Sequence, residues 1–296
     1  MIRNAPKPAA VFGVDLGKNL FHVVGLDERG GVVQRAKFRR DTVLAFFQRA
    51  APTLVGMEAC PGSQWLARKL QAFGHQVRIV PAQFVKPFVK SQKNDTIDAE
   101  AIAEAVTRPT MRFAQVRTVE QIDIQALHRM RDQLVASRTR LINQARAFCL
   151  EYGVAMRQGV GVFRVDLPRA LADDNNDLTP MMRQMLTEIL EDIAHVDRRI
   201  VSVTRQIEAL ADREDRARRL MTIPGIGPLA ATALLAAVGD GRQFRRAREL
   251  AAWLGLTPRE YSTGGKTTWV RLRDRRLRSL YRGLAGQSHR PCQLRT

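Results

Sequence analysis

The chain has 296 residues with 48 Lys and Arg against 29 Asp and Glu, a formal net charge of +19 and a pI near 11.1, an excess that solubility alone does not require. A polyanionic partner is therefore expected, while a hydrophobic fraction of 45% excludes a solvated basic tail and predicts two or three packed units. Cys60, Cys149 and Cys292 have no CxxC spacing, no apolar run reaches the roughly 20 residues of a membrane span, and the first residues lack the apolar core of a signal peptide, so a soluble protein of a reducing compartment is expected.

The N-terminal part alternates strands and helices. Val11-Phe-Gly-Val-Asp15, Phe21-His-Val-Val-Gly-Leu26 and Val32-Val-Gln-Arg-Ala-Lys-Phe38, with Gly30-Gly31 before the last, read as an antiparallel meander. A helix over 42–49, a strand over 53–58, a helix over 63–73 and a strand over 76–80 follow, which predicts an α/β layer. Asp15 and Glu58 each end an apolar strand, where a carboxylate can emerge at a sheet edge. Lys93-Asn-Asp95-Thr-Ile-Asp98-Ala-Glu-Ala-Ile102 begins a helix and sets Asp95 and Asp98 on one face. Helix capping alone accounts for two acids in a first turn. Four carboxylates brought together would repel one another unless cations lay between them, and hard Mg²⁺ or Mn²⁺ suits oxygen donors. Such a site performs two-metal phosphodiester chemistry. The five histidines, at 22, 75, 128, 195 and 289, show no ligand spacing and read as surface or packing residues, which argues against zinc.

In the middle, apolar residues fall at 182, 186, 189, 193, 196, 200, 203, 207 and 210, alternating four and three, which predicts a coiled-coil helix. Leu127, Leu134, Leu141 and Phe148 sit seven apart on an earlier helix, with 172–177 as the turn between. The two helices could pair within the chain, or the later one with a second copy.

Toward the C-terminus, Leu220-Met-Thr-Ile-Pro-Gly225-Ile-Gly227-Pro-Leu reads as helix, hairpin, helix, with Gly225 and Gly227 exposing amides that can hold a phosphate; a tight helix–helix turn without a ligand is the plainer reading. The stretch 244–254 is a basic amphipathic helix carrying Arg245 and Arg246. It leads into Gly255-Leu-Thr-Pro-Arg-Glu-Tyr-Ser262-Thr-Gly-Gly-Lys266, expected as an exposed loop that is either a simple turn or a hydroxyl nucleophile presented beside the phosphate-binding amine of Lys266.

Together, Gly13-Val-Asp15 with Lys18, Glu58-Ala, Asn94-Asp95-x-x-Asp98-Ala, Ile223-Pro-Gly-Ile-Gly227 and Gly255-Leu-Thr-Pro-Arg259 resemble the DEDD-type insertion-sequence transposases, the group that includes Piv-type DNA invertases and bridge-RNA-guided recombinases. The resemblance implies a RuvC-like, RNase H-like α/β domain at 8–112 whose acidic tetrad, Asp15, Glu58, Asp95 and Asp98, is catalytic and holds Mg²⁺ or Mn²⁺. A helical coiled-coil region at 113–214 and a small α-helical domain at 215–296, with the helix-hairpin-helix-like element and the serine loop, would follow. It further implies a serine nucleophile, Ser262 or in its place Thr263, since the family's hydroxyl directly before the glycine is threonine here. Its implied partners are DNA, a structured guide RNA and further copies of the chain in a dimer or tetramer, with no membrane, in the bacterial cytoplasm near the nucleoid. A Piv-like invertase and a non-catalytic nucleic-acid-binding remnant are the alternatives. The Arg-rich stretch after Lys266, Thr-Thr-Trp-Val-Arg-Leu-Arg-Asp-Arg-Arg, departs from the family's glycine-containing continuation and resembles the end of a truncated copy.

Overall fold

The computed structural model describes residues 5–89 and 95–254, with the backbone alone at 259–263 and 266–270. The chain divides into two compact units, residues 1–118 and 119–296.

Unit 1 is built on a five-stranded mixed sheet in the order β3-β2-β1-β4-β5. Strands β1 (Val11–Leu16), β2 (Leu20–Leu26) and β3 (Val32–Arg39) form the expected antiparallel meander, and β4 (Leu54–Glu58) and β5 (Gln76–Val80) add in parallel, each after a helix, α1 (Arg40–Arg49) and α2 (Ser63–Ala72). A short α3 (Ala82–Val85) and a 3₁₀ turn (Lys86–Phe88) precede α4 (Asp95–Thr107). This mixed layer agrees with the RNase H-like arrangement that the resemblance implies.

Side chains alternate across a strand, so the sheet has two different faces. Phe12, Val14, Val55 and Met57 point to one of them, where Phe46, Phe47, Leu66 and Leu70 of α1 and α2 complete a buried aromatic core. Phe12 meets Phe46 and Phe47 edge to face at 5.7 and 5.6 Å. Alternation also sets the register for the other face: Gly13 with Asp15, and Gly56 with Glu58.

Helix α4 covers that second face. It does so at close range because it is rich in alanine and because glycines lie beneath it: a Cβ on Gly13 would stand 2.0 Å from the Ala99 carbonyl oxygen and 2.6 Å from the Ala103 amide nitrogen, and one on Gly56 would stand 2.5 Å from Val106 Cγ1. Ala99, Ile102, Ala103 and Val106 pack with Val11, Val24, Leu26 and Val80. At the other end of the helix, Arg78 of β5 donates to the Val106 carbonyl at 2.7 Å while its guanidinium lies 4.9 Å from the centre of the Phe113 ring. A cation on the last turn also complements the helix dipole.

Unit 2 is helical: α5 (Val119–Glu151), α6 (Val160–Ala172), α7 (Pro180–Arg213), α8 (Asp215–Met221), α9 (Pro228–Val238) and α10 (Ala247–Trp253). The expected heptad positions of α5 and α7 fall in shared clusters. Leu127 and Leu134 meet Val196, Ile200, Val203 and Ile207 in one, and Leu141 and Phe148 join Met182, Leu186, Ile189 and Ile193 in another. The two long helices therefore pair within the chain. Between them, α6 was not visible as a periodic segment because Pro168 interrupts it; its Phe163 and Leu167 are fully buried in the second cluster. Asp197 of α7 ties the three together by accepting from Arg138 of α5 at 3.0 Å and Arg164 of α6 at 2.5 Å.

The serine segment differs from the expectation of a loop. Its backbone forms a β-hairpin, β6 (Arg259–Thr263) paired with β7 (Lys266–Val270), with Ser262 opposite Thr267 and Thr263 opposite Lys266. The reason lies in the sequence itself: a Gly-Gly pair between two runs rich in Tyr, Thr, Trp and Val is a two-residue hairpin pattern. Residues 264 and 265 lie outside the described residues, as do the side chains of Ser262, Thr263 and Lys266 and the Arg-rich stretch from 271 onward.

The close helix–sheet approach makes Gly13 a test of the fold. Gly13→Ala forces backbone apart and is expected to cost about 1 to 3 kcal/mol, read as a lower midpoint in thermal unfolding. Gly161→Ala, in α6 with nothing within 4 Å of its Cβ, should be neutral or gain about 0.5 to 1 kcal/mol. A Gly13→Ala protein as stable as the parent would contradict the packing described.

Candidate metal centre

Asp15 sits near the end of β1 and Glu58 at the end of the neighbouring parallel strand β4, one residue beyond the register pair Val14 and Met57. Both follow a glycine by two residues, so both share the face that α4 covers. Because α4 lies so near the sheet at Gly13, its first turn brings Asp95 and Asp98 to Asp15: one carboxylate oxygen from each of these three acids lies within 4.8 Å of the others. Glu58 is outside that group of three, but it is joined to it electrostatically through Asp98.

Among the described residues, mutual repulsion and burial outweigh the pull of His22 on the acids. Burial, then the charges of Asp95 and Asp98, push the Asp15 carboxyl from the usual range up to about 6, against a smaller opposing pull from His22. Burial and then Asp98 raise Glu58. The Cys60 thiol, just beyond β4, is pushed up to about 11 by burial and then by Glu58 and Asp15. Without a metal such a site takes up a proton; with one, hard oxygen donors at this spacing suit a divalent cation.

Two features of this edge escaped the sequence reading. His22 of β2 stands directly opposite Asp15 in the antiparallel register and is buried, with Nδ1 3.6 Å from Asp95 Oδ2. Isolated in sequence, it offers no spacing to read. By contrast, His75 is a satisfied packing histidine: Thr53 N–H donates to its Nδ1 at 3.2 Å, and its Nε2 lies 2.8 Å from the Phe47 carbonyl. The second feature is Arg40, whose guanidinium lies over the Phe21 and Trp65 rings at 5.3 and 5.2 Å and reaches the Lys18 carbonyl at 3.5 Å. Arg40 begins α1 and reaches the turn that follows Asp15, on which the exposed Lys18 stands.

In unit 2, Gly225 and Gly227 lie between α8 and α9. Ile226 N–H donates to the Ile223 carbonyl at 3.1 Å, and Gly225 has φ of +89°, so Pro224-Gly225 occupies the centre of a type II turn that calls for glycine at its second position. Gly227 precedes α9, whose first helical residue is Pro228. Arg245 and Arg246 are exposed at the start of α10, where Glu249 accepts from the Arg245 backbone N–H at 2.8 Å. Among the described residues no helix is long and apolar enough to cross a membrane.

Comparison with known proteins agrees with this arrangement. Residues 12–153 match the DEDD IS110 transposase model, and residues 217–289 match the model described as Transposase IS116/IS110/IS902 family. The chain is 39% identical over 272 residues to the transposase for insertion sequence element IS1328 of Yersinia enterocolitica, covering 92% of this chain and 80% of that protein. It is 40% identical over 264 residues to the transposase for insertion sequence element IS1111A of Coxiella burnetii, covering 89% of this chain and 72% of that protein. A more distant relative, the pilin gene-inverting protein of Moraxella bovis, is 26% identical over 213 residues, 69% of this chain and 56% of that protein. Matches at both ends of the chain, and close relatives along most of its length, place it in the IS116/IS110/IS902 family of insertion-sequence transposases.

Proposed function

We propose that this transposase cuts and rejoins DNA at a composite site: the acidic tetrad Asp15, Glu58, Asp95 and Asp98 with Mg²⁺ or Mn²⁺, and a hydroxyl of the C-terminal hairpin, Ser262 or Thr263. The observation that carries the reading is the convergence of Asp15, Asp95 and Asp98 within 4.8 Å, at a sheet edge where Asp15 is half-buried and its carboxyl is pushed up to about 6. Such a cluster in a chain of net charge +19 fits a phosphodiester substrate.

A divalent cation held there would supply charge neutralisation at the phosphate. The chain supplies the rest. The four carboxylates hold and space the cations. The seryl or threonyl oxygen attacks the phosphorus, its proton passing to a base, and the phosphoryl group moves from a deoxyribose oxygen to the protein, releasing a hydroxyl on the cut strand. Attack by another strand's hydroxyl on that phosphoester reverses the bond change and frees the side chain. The amides at Gly225 and Gly227, with Arg245, Arg246 and Lys266, hold backbone phosphates without reading bases. A structured RNA that pairs with the DNA would choose the sites, the protein reading only duplex shape, by analogy with other RNA-guided systems. The paired α5 and α7 act as a coiled-coil spacer, between a catalytic domain at 8–112 and a C-terminal domain at 215–296, that sets active sites apart in a dimer or tetramer. Inversion in place of transposition is the second reading, favoured by the similarity to the pilin gene-inverting protein.

Asp15→Asn and Asp98→Asn should each lower strand transfer by more than about 100-fold, the loss typical when transition-state electrostatics are removed, while binding of DNA in a mobility-shift assay stays near that of the parent. Full strand transfer in either variant would refute the site. A protein–DNA adduct that depends on Mg²⁺ and vanishes in Ser262→Ala assigns the nucleophile to Ser262; survival in Ser262→Ala and loss in Thr263→Ala moves it one residue along. DNA binding with no adduct under any condition would favour the non-catalytic remnant.

The Asp15 shift also predicts a pH dependence. Its folded-state value of about 6 exceeds the ordinary carboxyl value of 3.8, so the metal-free protein holds the proton more tightly folded than unfolded and loses stability as pH rises from about 4 to about 6. Mg²⁺ competes with that proton. The rise in unfolding temperature on adding Mg²⁺ should be clearly larger at pH 7.5 than at pH 5.5, and equal rises at both would contradict the assignment.

A further inference from the structure

His22 is the residue at this site whose presence packing alone does not explain. On β2 the positions that share its face are Leu20, at the exposed start of the strand, and Val24 and Leu26, both buried under α4 with the rest of that apolar cluster. An apolar side chain would continue the pattern. Instead an imidazole is buried, with only 6% of its surface exposed, and its Nδ1 has no hydrogen-bond partner among the described residues. Burying such a group unpaired is costly, and His75, just before β5, shows the alternative, both ring nitrogens engaged with backbone groups.

The orphaned nitrogen points at the acids. It lies 3.6 Å from Asp95 Oδ2, too long for a hydrogen bond and short enough that a small rotation of the Asp95 carboxylate would make one. Asp95 is the member of the cluster that most needs an anchor, since it begins α4 and its side chain is 59% exposed. His22 also faces Asp15 directly across the strand pair.

We propose that His22 is a positioning residue of the acidic centre: its buried Nδ1–H donates to Asp95 and holds that carboxylate toward Asp15 and Asp98 when a divalent cation is bound. The inference rests on the reading of the cluster as a metal site. His22 is not itself a ligand, for it stands outside the group of oxygens that converge. It acts as the outer partner of a ligand, a place where loss commonly weakens metal affinity by about 10- to 100-fold.

Two amide substitutions separate the ring nitrogens. Asparagine places a donor near the position of Nδ1, and glutamine places one near that of Nε2. Titrating the full chain with Mn²⁺ alone in a calorimeter should give near-parental affinity for His22→Asn and affinities weaker by about 10- to 100-fold for His22→Gln and His22→Phe. In strand transfer, the latter two should need more Mn²⁺ for half-maximal rate while approaching the parental rate at saturation, a split that a merely structural change would not produce. If His22→Phe does not fold, the Asn and Gln pair carries the test. Parental Mn²⁺ affinity in His22→Gln, or equal weakening in His22→Asn, overturns the inference. A parent chain that takes up no Mn²⁺ overturns the metal site itself, which is a different result.

Discussion

Everything at the acidic edge depends on how near α4 comes to the sheet. Only a helix whose inner face is alanine, laid over strands whose inner positions are Gly13 and Gly56, can bring its backbone this close. That distance then decides the chemistry. Asp15 is two residues beyond Gly13, Glu58 two beyond Gly56, and Asp95 one helical turn before Ala99, so the contacts that seat the helix also seat the acids. A bulkier residue at either glycine would lift α4 and separate carboxylates on different elements without touching any of them.

The cluster is thus held together by packing and against its own electrostatics. Burial and mutual repulsion raise Asp15 and Glu58, and even the Cys60 thiol beside them, so the folded chain carries at this edge an unfavourable charge density. A divalent cation bound among the acids would relieve it. Two nearby cations of the described residues are engaged elsewhere: Arg40 is stacked on Phe21 and Trp65, and Arg78 binds the far end of α4. Arg40 and the exposed Lys18 leave the rim basic, which would favour the approach of a phosphate backbone.

Much of this was legible in the residues. Strand alternation and glycine turns gave unit 1 almost element by element, because each strand is short, apolar and bounded by clear breakers. The heptad of α7 was readable for the same reason, and its partner α5 shared the period, though only the structure shows the two pairing within one chain. What escaped has physical causes. Helix α6 hides behind Pro168, a residue that as a rule ends helices. The segment around Ser262 reads as a loop from its glycines and lysine, yet the β-forming residues on either side pair as a hairpin. His22 was invisible because its meaning depends on a helix more than seventy positions away, a contact that periodicity does not encode.

The most direct test of the account is to locate the cation. Crystals of the full chain grown with Mn²⁺ and measured at the manganese absorption edge should show anomalous density bounded by the carboxylate oxygens of Asp15, Asp95 and Asp98, and none there in Asp15→Asn. Density elsewhere, or an empty acidic edge at millimolar Mn²⁺, would contradict the claim that these carboxylates form the catalytic metal centre.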